Sequence, residues 1–150
     1  MKTILKFSIF LLLVVQSYFV SASNALDLTQ YKGKVIYIDF WASWCIPCRK
    51  SFPWMSSMQK TYDKDLIVIG VNVDQEKSLA DQFIKETSPN FKIIFDSKGD
   101  LANEYQVAAM PSSFIVSREG KIVFKHLGFH TKKTSLYEHE IQQLINQPSP

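Results

Sequence analysis

Apolar residues along the chain follow two rhythms, and the alternation between them predicts the elements. Lys34 to Trp41, KVIYIDFW, is a β-branched and aromatic run that reads as a buried strand with one polar member, Asp39. From Ile46, IPCRKSFPWMSSMQKTY reads as a helix interrupted at Pro53, which removes a backbone hydrogen bond and predicts a kink. Leu66 to Asn72, LIVIGVN, is a second buried strand. Gln75 to Glu86 carries Leu79, Ala80, Phe83 and Ile84 on one helical face. KIIF at Lys92 to Phe95 is a short strand, DSKGD a turn, and Leu101 to Tyr105 a short helix. Ser113 to Ser117 and Lys121 to Leu127 form a hairpin around the turn REG. Thr134 to Gln147 closes with a helix whose Tyr137, Ile141, Leu144 and Ile145 share a face. Strand–helix alternation in the first half implies parallel pairing, and the late hairpin adds antiparallel pairing. The expected fold class is therefore α/β, a three-layer α/β/α architecture with a central mixed β-sheet.

The first residues break this pattern. Lys2 and Lys6 precede the apolar stretch Phe7 to Val15, and Val20-Ser21-Ala22 supplies small residues ahead of a cut. Residues 1–22 read as a signal peptide cleaved after Ala22, with an uncleaved membrane anchor as the alternative. Residues 23–150 are the one folded domain, opening on a polar lead-in from Ser23 to Gly33. An exported, periplasmic protein is the expectation. Loss of Lys2 and Lys6 from 17 basic residues, against 14 acidic ones, lowers the formal net charge from +3 to +1. A near-neutral domain offers no electrostatic case for nucleic acid. Lys132-Lys133 reads as a solvated helix start.

Composition then narrows the chemistry to two cysteines, Cys45 and Cys48, in WASWCIPCRKSFPWM. As a staple the pair would close the shortest kind of loop, worth only about 2 kcal/mol. A structural zinc site wants four ligands, and His126, His130 and His139 lie far from the pair in sequence. Covalent haem attachment needs a histidine where Arg49 stands. The context fits redox chemistry better. A strand ends at Trp41 and a helix begins at the cysteines, placing Cys45 at the positive end of the helix dipole, where its thiolate is stabilised. Cys45 is then the attacking nucleophile. Cys48, one turn in and within bonding reach of Cys45, is the resolving cysteine. Arg49 reads as a solvated helix residue.

YIDFWASWCIPCRKSFP resembles the active-site segment of the thioredoxin superfamily, in its exported TlpA/ResA-like branch. The resemblance continues through IVIGVNVD and IIFDSKGDLANEYQVAAMPSSFIVSREGKIV. It implies a thioredoxin fold, a thiol–disulfide oxidoreductase, a redox-active Cys45–Cys48 disulfide, and a cis proline at Pro111. Met110 would present its backbone to an incoming peptide, pairing as a strand. Asp39 matches a buried acid that shuttles the proton of Cys48; a half-exposed carboxylate at a strand end is the plain alternative. Two departures stand out. Ser51 occupies the place of a glutamate that some members carry, and the extra N-terminal strands of the branch are missing. Both weigh against a specific role in cytochrome c maturation.

Trp41 is expected in the core, Trp44 on an exposed apolar rim that receives partners, and Trp54 in helix packing; the histidines are assigned no role. The expected enzyme is a monomer that reduces disulfides of periplasmic proteins with neither cofactor nor metal. The resemblance implies recharging by a membrane electron donor of the DsbD/CcdA kind. A disulfide-donating oxidase using the same couple is the alternative. A thioredoxin-fold binding module or chaperone is an alternative of another class.

Overall fold

The computed structural model describes residues 26–148, so the expected signal peptide, residues 1–22, lies outside the described residues. Five strands form one sheet: β1 (Val35–Trp41), β2 (Leu66–Asn72), β3 (Lys92–Phe95), β4 (Ser112–Val116) and β5 (Ile122–Leu127). Their spatial order is β3-β2-β1-β4-β5. β1 and β3 pair parallel to β2, whereas β4 pairs antiparallel to β1 and to β5. β1 is thus central, and every one of its residues is buried.

The two faces are covered unequally. α1 (Ile46–Thr61), α2 (Lys77–Thr87) and α4 (Thr134–Ile145) contribute Phe52, Phe83 and Ile141 to a core with Val35, Tyr37 and Trp41 of β1. The opposite face carries Ile36, Ile38 and Phe40 beneath the short α3 (Asp100–Glu104). The lead-in completes that second layer: Leu26, Leu28 and Tyr31 pack on it around a 3₁₀ turn at Thr29–Tyr31. What reads as polar approach chain is therefore part of the fold. The alternation of β1 sends successive side chains to opposite layers, so two cores share one strand.

The interruption expected at Pro53 does not divide the helix. α1 runs as one element through it. Pro53 is exposed, while Cys48, Phe52, Met55 and Met58 are buried on the inner face. The lost backbone bond falls on the solvent side, and packing of the inner face holds the helix together.

At the end of the sheet away from the cysteines, Arg118 ties three segments together. It donates to Gly33 O at 2.7 Å, Ile145 O at 2.8 Å and Asp65 Oδ1 at 3.1 Å. A cavity of about 540 Å³ opens beside it, lined by Leu28, Tyr31 and Ile36 among others, with no cysteine in its wall. Because two half-buried carbonyls would lose a charged donor, Arg118→Ala is expected to lower stability by about 1–2 kcal/mol. Urea unfolding would register this as a lower midpoint at unchanged slope.

Candidate functional site

β1 delivers the cysteines. Trp41 ends the strand, and Cys45 is the N-cap of α1, with extended backbone. Cys45 and Cys48 form a disulfide, with Cα atoms 5.3 Å apart. Cys45 Sγ accepts the backbone N–H of Cys48 at 3.2 Å, the bond an N-cap oxygen would otherwise take. Both residues are almost wholly buried, Cys45 at 4% and Cys48 at 0% exposure. Their neighbours Trp44 and Ile46 are exposed at 68% and 73%. The disulfide therefore sits in a collar of apolar side chains facing water.

The loop before Cys45 is fastened from behind. Asp74 accepts the Ser43 N–H at 2.9 Å and the Ser43 hydroxyl at 3.0 Å. Asn72 donates to Asp74 at 2.8 Å, and the Asp74 N–H returns a bond to Asn72 Oδ1 at 3.1 Å. Cys45 N–H closes the turn onto Ala42 O at 3.1 Å. Reasoning from the sequence missed Asn72 and Asp74. Their signal was present in two polar residues, two apart, at the end of the apolar run LIVIGVN.

Asp39 lies in the same layer as the cysteines, since Tyr37, Asp39 and Trp41 alternate onto that face. It is 1% exposed, which rules out the half-exposed strand-end alternative. Its Oδ2 has no hydrogen-bond partner among the described residues. Burial alone pushes its carboxyl well above the ordinary range. The residue opposite it on β2 is Gly70, so no side chain there neutralises it.

Met110–Pro111 is a cis peptide bond. Phe40 pairs with Ser112, so Pro111 comes level with the end of β1 where the cysteine loop departs. Met110 is half-buried and touches both cores. Trp41 is core, stacked edge-on to Phe52 at 4.9 Å; Trp54 packs on Tyr37 at 5.3 Å. Arg49 pairs with Glu86 at 2.9 Å and lies 4.4 Å over the Phe83 ring, so its charge is engaged away from the sulfurs. Ser51, in place of the family glutamate, is buried and donates to Cys48 O at 3.0 Å. Among the described residues, no cluster of side chains could hold a metal.

A family model described as Redoxin matches residues 16–143. The chain belongs to the Redoxin family. This Redoxin chain is 32% identical to the thiol-disulfide oxidoreductase ResA of Bacillus subtilis over 99 residues, covering 65% of the chain and 55% of that relative. It is 31% identical to the sporulation thiol-disulfide oxidoreductase A of the same organism, covering 81% of the chain and 72% of the relative. A crystal structure from Chlorobium tepidum, assigned as thiol:disulfide interchange protein DsbE, superposes with a TM-score of 0.77 at 40% identity, covering 79% and 85% of the two chains. The fold is that of thioredoxin, as the sequence resemblance implied. The chain spans between 55% and 63% of the length of the ResA relatives it matches.

Asp39 also predicts how stability depends on pH. Its folded-state pKa is raised above 3.8. The folded protein therefore holds this proton more tightly than the unfolded chain, and the contribution to stability falls as pH rises from about 3.8 through the raised value. Asp39→Asn should abolish that slope and leave the oxidised protein more stable at neutral pH. Every tenfold by which folding tightens proton binding is worth about 1.4 kcal/mol. Thermal unfolding of both forms across pH would measure it; a less stable Asp39→Asn protein at neutral pH would mean that the carboxylate is favourably solvated.

Proposed function

We propose that this protein is an exported thiol–disulfide oxidoreductase that reduces disulfides of extracytoplasmic, in a diderm cell periplasmic, proteins. The observation that carries the reading is the pairing of an N-cap sulfur, held by a backbone N–H, with a buried acid in the same layer. Cys45, as thiolate, attacks a substrate sulfur and releases the first substrate thiolate. Cys48 then attacks Cys45 Sγ, the Cys45–Cys48 bond forms, and the second substrate thiolate departs. Asp39 accepts the Cys48 proton as that sulfur becomes nucleophilic. Trp44, Met110 and Pro111 bound the surface where the substrate peptide lies against the disulfide.

The reducing direction is our reading of how the Cys45 sulfur is held. Strong oxidants owe their potential to a stabilised reduced form. Here the backbone N–H of Cys48 is the donor to Cys45 Sγ, while Arg49 is engaged by Glu86 and Phe83. With the helix N-terminus and that N–H as the groups that would hold a Cys45 thiolate, we read the couple as one that favours the disulfide and serves as a reductant. It must then be recharged, and a membrane electron donor of the DsbD/CcdA kind fits an enzyme working outside the cytoplasm. Residues 1–22 would direct export, by cleavage or as an anchor, and residues 23–150 would act as a monomer.

Equilibration against a thiol buffer tests the direction. A potential near about −270 mV supports the reductant, and one near about −120 mV makes the protein an oxidant. Cys48→Ser should trap substrates as mixed disulfides through Cys45, and Cys45→Ser should abolish exchange. Trapping by Cys45→Ser instead would reverse the two roles on a non-reducing gel. Asp39→Asn should slow the resolving step about a hundredfold while sparing the first attack, as removal of a placed proton acceptor does.

A further inference from the structure

Asp39 is one end of a row of polar side chains. Register sets Asp39 opposite Ser113, and Ser113 opposite His126. Directly opposed residues on neighbouring strands send their side chains to the same face. The three therefore lie in line across β1, β4 and β5. On the other flank of Asp39 stands Gly70, with no side chain, so the row runs one way, towards the β5 edge.

At that edge His126 Nε2 lies 2.6 Å from Glu140 Oε2 of α4. The Tyr137 ring packs against the imidazole at 4.7 Å. Glu140 and Tyr137 are buried, while the His126 side chain keeps 18% exposure to solvent. Tyr37 stands alongside, two residues from Asp39 on the same strand face. Burial raises its phenol, the Asp39 carboxylate raises it further, the Ser113 hydroxyl opposes, and Tyr137 and Glu140 add to the rise. Tyr37 is thus within electrostatic reach of both ends of the row. A buried histidine–glutamate pair is a poor way to stabilise a fold, because desolvation offsets the attraction.

We propose that the row Asp39–Ser113–His126, with the imidazole held by Glu140, exchanges the proton of the resolving step between Asp39 and solvent. Cys48 gives its proton to the Asp39 carboxylate as its sulfur attacks, the Cys45–Cys48 bond forms, and the substrate thiolate leaves with the electron pair. In the disulfide form Asp39 Oδ2 has no hydrogen-bond partner among the described residues; once protonated, Asp39 passes the proton to the Ser113 and Tyr37 hydroxyls, which rotate to accept one proton while donating another. His126 receives it and releases it to water, restoring the Asp39 carboxylate; imidazole is the side chain suited to such exchange near neutral pH. The titratable groups along the row are Tyr37 and Asp39 from β1, and Tyr137 and Glu140 from α4. His126 and Glu140 act through Asp39 and are positioning residues.

This inference rests on the proposed role of Asp39, so the test is a double-mutant cycle. Reduced wild-type, Asp39→Asn, His126→Gln and the double variant are mixed with glutathione disulfide in stopped flow, which separates attack from resolution. His126→Gln should slow resolution about tenfold, the low side of what a placed proton-transfer group contributes. It should also leave attack unchanged and be partly rescued by added imidazole. In the Asp39→Asn background it should add nothing. Wild-type resolution, equal slowing of both steps, or additive effects in the double variant would overturn the row. Glu140→Gln, which keeps a hydrogen bond to the imidazole, repeats the measurement should His126→Gln fail to fold. Asp39→Asn with unimpaired resolution would instead remove the Asp39 reading itself. Slowing by Asp39→Asn but not by His126→Gln or Glu140→Gln would remove the row alone.

Discussion

A carboxyl group in the middle of a strand buried on both faces is the constraint around which this molecule is arranged. β1 has sheet on either side and a core on each face, so Asp39 can reach neither water nor, at Oδ2, a hydrogen-bond partner among the described residues. Ionising such a group costs several kcal/mol, and the group responds by holding its proton. A domain stable by only about 5–15 kcal/mol bears one such residue because its neighbours on β1 are apolar and closely packed.

The cysteines depend on that strand in a second way. The strand ends at Trp41, whose carbonyl accepts the Val73 N–H at 3.0 Å, and the chain turns at once into the cysteine loop. Asp74 and Asn72 hold the loop from the end of β2, and Trp41, Phe52, Phe83 and Phe91 stack beneath it with centroids 4.8–5.1 Å apart. The back of the site is closely packed. Its front is Trp44 and Ile46, both in water. The two sulfurs are thus held in fixed geometry behind an exposed apolar rim.

Much of this was legible in the chain. LIVIGVN and KIIF are strands over the residues read as strands, because charged or turn-forming residues bound each run. Asp39 stood out as the one polar residue in KVIYIDFW, and its burial follows from the run around it. Pro53 misled, because a proline rule speaks of backbone bonds and not of the inner face that outweighs them. The lead-in misled for a related reason: Leu26, Leu28 and Tyr31 are spaced too irregularly to show a period, yet together they cover the second face.

By itself the sequence determined the local terms: where strands and helices form, that an acid lies in an apolar strand, and that two cysteines open a helix. These are set by residues close along the chain, through propensity and periodicity. Only the tertiary structure decided which distant residues meet. Asp74 reaches Ser43 across 31 residues because β2 lies parallel to β1. Ser113 and His126 line up with Asp39 because of the registers in which β4 pairs with β1 and with β5. A shift of one residue in either strand would turn those side chains to the opposite face, and no local pattern in the chain specifies that alignment.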